Sequence, residues 1–327
     1  METPTLWNSV ADLRRPGGVR VCPAGNGKGA CACSYGQVSN IRLRPSPRVD
    51  IRATGVPGTR LAGAAFAAPK SFEAQSPASL LEGVNAAVCQ HLGIRNLGHK
   101  SALLEIGQRK AFPAGAVDAT YSRIASNWQS CRQAGICSPS AANWRWRSPQ
   151  LAISAHNTSP EVRLERALIV ACERLGRSDW SNQVPVASGV AGAKAERRRA
   201  IDLVHQRGPG HFELVELKVA SDTPLYAAFE IIGYTCIWLL SRREQPASNN
   251  PLLTAQAIDA VVRAPTAFYA PYRLDALRLQ LHDDLQRLGH EHGVALSFRF
   301  EAFPDHLANP PWTDEQLAHL LDSRSAI

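Results

Sequence analysis

The feature that most constrains this 327-residue chain is a turn. Gln206-Arg-Gly-Pro-Gly210 lies between two short apolar runs, Ala200-Ile-Asp-Leu-Val204 and His211-Phe-Glu-Leu-Val-Glu-Leu-Lys218. Gly and Pro supply the backbone angles that reverse a chain, so the flanks are predicted to pair as an antiparallel hairpin. With the hairpin centred on Pro209, Asp202 faces Glu216, and Lys218 two residues on shares their side of the sheet. Two carboxylates directly opposed repel each other and need a compensating positive charge. A divalent cation supplies one, because Mg²⁺ takes oxygen ligands and keeps several waters. Such a cation acidifies a bound water and offsets charge developing on a phosphate. Lys218 is one of only two lysines after residue 110, in a chain with 30 Arg and 6 Lys. A lysine can orient a water or hold a phosphate, and its shiftable pKa lets the neutral amine deprotonate a water, which an always-charged guanidinium cannot do. A salt-bridge cluster on a solvated sheet face is the alternative reading of the same three residues.

The pattern around the hairpin sets the fold class. Thr158 and Glu161 are spaced as a capping box, with Pro160 at a favoured early helix position. Leu164, Leu168, Ala171 and Leu175 form the apolar stripe of a helix ending at Gly176. Strands are predicted near 184–190, 198–205 and 211–219, and Pro224 opens a long apolar helix to about 242. A strand over 257–264 follows, then a helix striped by Leu274, Leu277, Leu281, Leu285 and Leu288 and closed by Gly289. Val294, Leu296, Phe298 and Phe300 alternate in a last strand. The order αβββαβ, then αβ, predicts an α/β sheet with helices against it.

This order, with Asp202 on the second strand and Glu216-x-Lys218 on the third, resembles the PD-(D/E)xK nuclease superfamily. The likeness covers roughly residues 158–302, and Ile201 stands where the motif name has proline. It implies a restriction-endonuclease-like core, αβββαβ with a mixed sheet flanked by helices. It further implies a metal-dependent endonuclease, using Mg²⁺ or Mn²⁺, that hydrolyses phosphodiester bonds in nucleic acid, DNA before RNA. On this resemblance Asp202 and Glu216 hold the metal, Lys218 assists, and an acid on the first helix completes the ligand set. Glu161 is already accounted for by its place at a helix N-terminus. Glu165 has no such local role and lies beside the apolar stripe, so Glu165 is the expected ligand. Glu230 and Tyr234 stand where some branches carry Gln-x-x-x-Tyr. With Tyr226 they share one helix face, as site residues or as core packing with polar tips. Two rival functions remain: a nuclease-like fold that binds nucleic acid without cleaving it, and a structural or partner-binding protein.

Charge separates the chain into unlike halves. The net charge is +8, yet residues 1–158 carry 18 Lys+Arg against 7 Asp+Glu, and the remainder 18 against 21. Basic segments draw nucleic acid by neutralising phosphates and releasing counterions; solubility with an arginine-rich coding bias is the bland alternative. Residues 1–150 are read as a basic, partly disordered region of short helices (79–92, 101–110, 118–134) and irregular segments, and 151–327 as the nuclease domain. A linker is expected within 138–158, where Ser, Pro and Asn accumulate. Trp128, Trp144 and Trp146 lie among Arg132, Arg145 and Arg147, a pattern that suits base stacking or a small helical core with a basic rim. Arg145 and Arg147 are candidate nucleic-acid contacts. So are Arg197, Arg198 and Arg199, which approach along the strand of Asp202 as phosphate clamps or as a solvated strand entrance.

Other classes are excluded. At 45% hydrophobic and 20% charged residues the chain can build a core, so chain-wide disorder does not fit. No run reaches the roughly 18 apolar residues of a membrane span. Asp12, Arg14 and Arg15 occupy the place of a signal peptide's apolar stretch, so a cytoplasmic protein is expected. Among eight cysteines, Cys172 and Cys236 lie in apolar helical runs as core residues, while Cys22, Cys31 and Cys33 lack the CxxC pair of a zinc site. Gly25-Asn-Gly-Lys-Gly29 lacks the earlier Gly and the Ser/Thr of a phosphate loop. His290 and His292 follow a predicted helix end, where cationic side chains are favoured without a metal.

Overall fold

Near-continuous apolar runs such as Ala260-Val-Val262 suit strands buried on both faces, and the computed structural model has such a sheet. It describes residues 77–109, 111–136, 143–147, 149–153, 157–186, 199–244, 249–323 and 325–327. Three helices come first, α1 (Val84–Leu92), α2 (Lys100–Gly107) and α3 (Ala116–Gln133). Then follow α4 (Pro160–Arg174), β1 (Trp180–Pro185), β2 (Ala200–Gly208), β3 (His211–Leu217), α5 (Pro224–Glu244) and β4 (Ala257–Pro265). A short α6 (Thr266–Tyr269), α7 (Asp275–Glu291), β5 (Ala295–Phe303), a 3-10 turn (Asp305–Ala308), α8 (Asp314–Asp322) and β6 (Ser325–Ala326) complete the order. The strands form one mixed sheet in sequence order: β1, β2 and β3 are antiparallel neighbours, β3, β4 and β5 run parallel, and β6 returns antiparallel. The parallel β3–β4 step requires a crossover, which α5 provides.

Two apolar cores sandwich this sheet. On one face Phe212, Leu214, Ile258, Val262 and Phe298 meet α5 and α7. On the other Val215, Leu217 and Val261 meet Leu164 and Leu168 of α4 and Leu317 and Leu320 of α8. Neighbouring strand residues therefore serve opposite cores, as the pleat requires. Helix α5 is the central element, with 16 of its 21 residues buried. Among the described residues it alone is long and apolar enough to cross a membrane, and its apolar faces are covered by protein. Leu80, Val84, Leu103 and Ile124 belong to the same core as α5, so described residues on both sides of position 150 share one interior. Trp144 and Trp146, from the expected linker, are buried in it too.

Three local readings are corrected. Ser159, not Thr158, caps α4: its Oγ accepts from the Val162 N–H at 3.4 Å, with Pro160 in the first turn. Helix α7 runs through Gly289 to Glu291, and the left-handed turn is made by Gly293 at φ 67°. Gly289 answers to packing, because a Cβ there would lie 2.7 Å from the Val294 carbonyl oxygen. Strand β1 begins at Trp180, earlier than expected, and 187–190 lie outside the described residues.

The α4 side of the sheet also carries a layer of paired charges. Glu213, fully buried, receives Arg207 Nη1 at 2.9 Å and Arg299, and lies 2.7 Å from His205 Nδ1. Asp259 accepts from Ser297 at 2.6 Å and pairs with Arg299 at 3.2 Å. Arg263 and Glu301, each 1% exposed, pair through Nε at 2.9 Å. On the outer edge of β1, the Trp144 N–H donates to Pro185 at 2.7 Å, and Asn182 and Gln150 exchange two hydrogen bonds, 2.7 and 2.9 Å.

Candidate functional site

The site forms where two paired strands part. The β2–β3 rungs are Leu203↔Val215, Val204↔Leu214, His205↔Glu213 and Gln206↔Phe212, the register centred on Pro209, with one slip before Gly208↔His211. Leu203↔Val215 is the last rung on the far side, whereas β3 goes on pairing with β4 as far as Leu217↔Arg263. The Lys218 N–H extends that pairing, donating to the Arg263 carbonyl at 2.9 Å. Asp202 and Glu216, expected to form a rung, thus sit just beyond the last one. The Leu217 N–H, which has no β2 carbonyl to meet, donates to Asp202 Oδ2 at 3.0 Å.

A backbone distortion on β1 lies beside Asp202. The β1–β2 pairs Asn182↔Leu203 and Val184↔Ile201 leave Gln183 and Asp202 between them without a rung. Gln183 has φ 49°, left-handed for a side-chain-bearing residue, a strain of about 1–3 kcal/mol that recurs at functional sites. The distortion changes which core the strands serve: Leu203 packs with α4, Ile201 and Val184 with the α5 face. Asp202 is placed at that crossover, within electrostatic reach of both α4 and α5.

Lys218 is buried among carboxylates. Its Nζ lies 2.9 Å from Glu216 Oε1, 3.0 Å from Glu230 Oε2 and 3.3 Å from Asp222 Oδ2. Tyr234 donates to the other oxygen of Glu230 at 3.3 Å. Burial, reinforced by Asp202 and Glu230, holds the Glu216 carboxyl well above the usual range. Burial also pushes Asp202 up to about 6, against the Leu217 N–H and the Lys218 charge, which favour its ionised form. Burial alone would lower Lys218, but Glu216 and Glu230 outweigh it and raise the ammonium above its ordinary value.

The two first-helix glutamates have opposite surroundings. Glu165 is 1% exposed and accepts from Asn182 Nδ2 at 2.6 Å, Gln183 Nε2 at 2.9 Å, and Arg166. Burial and the charge of Asp202 push it up to about 8. Glu161, half-buried, accepts from the N–H groups of Val219, Ala220 and Ser221 and from the hydroxyls of Ser221 and Ser159. Burial would raise it, yet hydrogen bonds from its own N–H, Ser159, Ser221 and Ala220 hold it at about 2.

Asp202, Glu216, Lys218 and Glu165 are therefore brought together. Arg145 and Arg147 are exposed; Arg147 bonds Gln206 at 3.3 Å, near the opposite end of β2 from Asp202. Trp144 and Trp146, 1% and 8% exposed, are core residues and offer no stacking platform. Arg197 and Arg198 lie outside the described residues. Arg199 lines a small pocket with Asn85, Tyr226, Phe229 and Glu230, beside the Lys218 cluster. Sequence reasoning missed Asn182, Gln183, Arg166 and Asp222. Asp222 had one signal, its place four residues after Lys218 and just before the helix-opening Pro224; nothing in Trp180-Ser-Asn-Gln-Val-Pro185 marks Gln183.

Among the described residues no three His, Cys, Asp or Glu side chains converge as a ready metal-binding group. The donor chemistry nonetheless suits a hard cation. Asp202 Oδ1 and Glu216 Oε2 receive no hydrogen bond from described residues, and carboxylate oxygens are what Mg²⁺ takes. The chain matches no protein-family model, no curated protein and no solved structure.

Proposed function

We propose that this α/β protein is a metal-dependent nuclease of the PD-(D/E)xK kind, with a restriction-endonuclease-like core, hydrolysing phosphodiester bonds in DNA. The observation that carries this reading is the parting of β2 and β3, which gathers Asp202, Glu216 and Lys218 beside Glu165. Mg²⁺ or Mn²⁺, held by Asp202, Glu216 and Glu165, would supply charge neutralisation and a more acidic water. The Leu217 N–H fixes the Asp202 carboxylate, and β4 pairing fixes the backbone of Glu216 and Lys218. Lys218 keeps a protonated ammonium next to both acids, a fixed positive charge for a phosphate oxygen. The basic residues of 1–150, with Arg145, Arg147 and Arg197 to Arg199, draw and orient the polyanion.

The test is cleavage of single- and double-stranded DNA and RNA with Mg²⁺, with Mn²⁺ and with chelator, by wild type and Asp202→Asn. Divalent-dependent cleavage that the variant loses while folding normally is the expected result. Equal activity in verified-pure Asp202→Asn would refute the assignment. One observation favours a second reading: Lys218 is already satisfied by three carboxylates and no ligand trio converges among the described residues. In that reading the protein binds nucleic acid without turnover, and salt-sensitive binding persists with no cleavage under any cation.

A further inference from the structure

Glu161 serves more than its own helix N-terminus. Its Oε1 gathers three consecutive backbone N–H groups, from Val219, Ala220 and Ser221, at 3.3 Å each, and the Ser221 hydroxyl at 2.9 Å. Its Oε2 takes the Ser159 hydroxyl at 2.8 Å. Successive N–H groups aimed at one oxygen form an anion nest. The chain leaves this nest through Asp222 at φ 65°, a left-handed backbone on a residue with a side chain. The looped segment starts at Lys218, whose ammonium reaches back to Asp222 at 3.3 Å. It is thus closed from within by the Lys218–Asp222 pair and from outside by Glu161 on α4.

We propose that Glu161 is a positioning residue: it clamps the 218–222 loop and thereby aims Lys218 at Asp202 and Glu216, leaving Glu165 as the first-helix acid that faces the cation. This deepens the nuclease reading and rests on it. The hydrogen bonds support the division. Oε1 of Glu161 already has four donors, so a cation would have to displace the nest. Both oxygens of Glu165 are hydrogen-bonded too, but its three donors are side chains that can swing away, whereas three of the donors on Glu161 are backbone N–H groups fixed by the loop. The loop follows directly from β3, so a shift at 219–221 is passed to Lys218 through three or fewer residues.

Glu161→Gln and Glu161→Ala separate clamp from ligand. Glutamine keeps an acceptor oxygen for the three N–H groups, and its amide can donate to the Ser159 hydroxyl. It loses the charge that a metal ligand needs. Three measurements are made on the full chain: kcat and KM for Mg²⁺-dependent DNA cleavage, Mn²⁺ affinity by calorimetry, and amide hydrogen exchange at 219–221 without metal. Glu161→Ala is expected to lose about 10- to 100-fold in kcat with KM within about threefold, as misplacement of a reacting group does. Its 219–221 amides should exchange at least about tenfold faster, with Mn²⁺ affinity within about twofold of wild type. Glu161→Gln should stay within about threefold of wild type throughout, since the acceptor is retained. Glutamine as damaging as alanine, or Mn²⁺ affinity lost in the glutamine variant, would make Glu161 a ligand and overturn the proposal. Wild-type exchange rates in Glu161→Ala would overturn it too. Should the wild type cleave nothing, the nuclease reading falls, and the exchange comparison still upholds or overturns the clamp.

Discussion

Replacing Glu165 by glutamine should stabilise the protein at neutral pH. The side chain is 1% exposed, and its carboxyl is raised from 4.5 to about 8 by burial and by the charge of Asp202. For an acid raised on folding, the native state keeps a proton that the unfolded state releases. Below about pH 4.5 both states hold the proton and nothing is lost; from there stability falls as pH rises, levelling above about 8. At about 1.4 kcal/mol per pH unit, the penalty reaches roughly 3 kcal/mol at pH 7 and roughly 5 kcal/mol above pH 8. Glutamine cannot ionise and escapes this slope. It keeps one acceptor for Asn182 or Gln183 but turns an N–H toward the other donor, costing about 1 kcal/mol. The net expectation is a variant about 2 kcal/mol more stable at pH 7, and equal or slightly weaker near pH 4.5. Urea unfolding at several pH values in chelator measures both. A difference that does not change with pH, or a variant that loses ground as pH rises, would refute the reasoning. Mg²⁺ added at pH 8 should stabilise the wild type and leave Glu165→Gln less affected, because a cation relieves the same repulsion.

Three further outcomes follow from the geometry. Gly289→Ala should destabilise by about 1–3 kcal/mol despite alanine's better helix propensity, because its Cβ would meet the Val294 carbonyl at 2.7 Å; an unchanged or raised Tm would contradict this. Glu301→Gln removes the partner of buried Arg263, and of Arg299 at 2.7 Å, and should cost about 3–5 kcal/mol in urea unfolding. A loss below about 1 kcal/mol would mean that the pair is bypassed, as for exposed ion pairs. Arg145→Ala with Arg147→Ala should leave Tm unchanged, since both side chains are exposed, and should flatten the slope of log affinity against log salt by about 0.9 for each phosphate these arginines neutralise. A variant with the wild-type slope would remove these arginines from the nucleic-acid surface.

The hairpin register was legible because Gln206-Arg-Gly-Pro-Gly210 fixes it locally. The element order from 158 onward was legible because helical and strand periods are written into single segments. What the periods cannot say is which faces meet. Stripes in 84–133 show that each helix buries a side, but not that the partners are α5 and α7. The end of the β2–β3 ladder at Leu203↔Val215, while β4 goes on holding β3 beyond it, is a tertiary matter. Ser159 and Thr158 are both good capping residues, and only the structure picks Ser159. Gly289 looked like a helix stop because glycine's reason there, contact with the strand entry, is long-range. Asp202, Glu216 and Lys218 were found together because one hairpin carries all three. Glu230 reaches Lys218 from another element, and no spacing rule announces that.

The strap across β1 bears on how the protein keeps to itself in a crowded solution. A sheet's outermost strand offers a row of unpaired amides and carbonyls on which a stranger's strand can nucleate a fibre. Here Pro185 has no amide to offer, the Gln183 kink breaks the row, and Trp144 and Gln150 of the same chain hold Pro185 and Asn182. Loss of Asn182 would therefore both free this edge for slow clumping and lower the melting temperature, because the same side chain donates to buried Glu165.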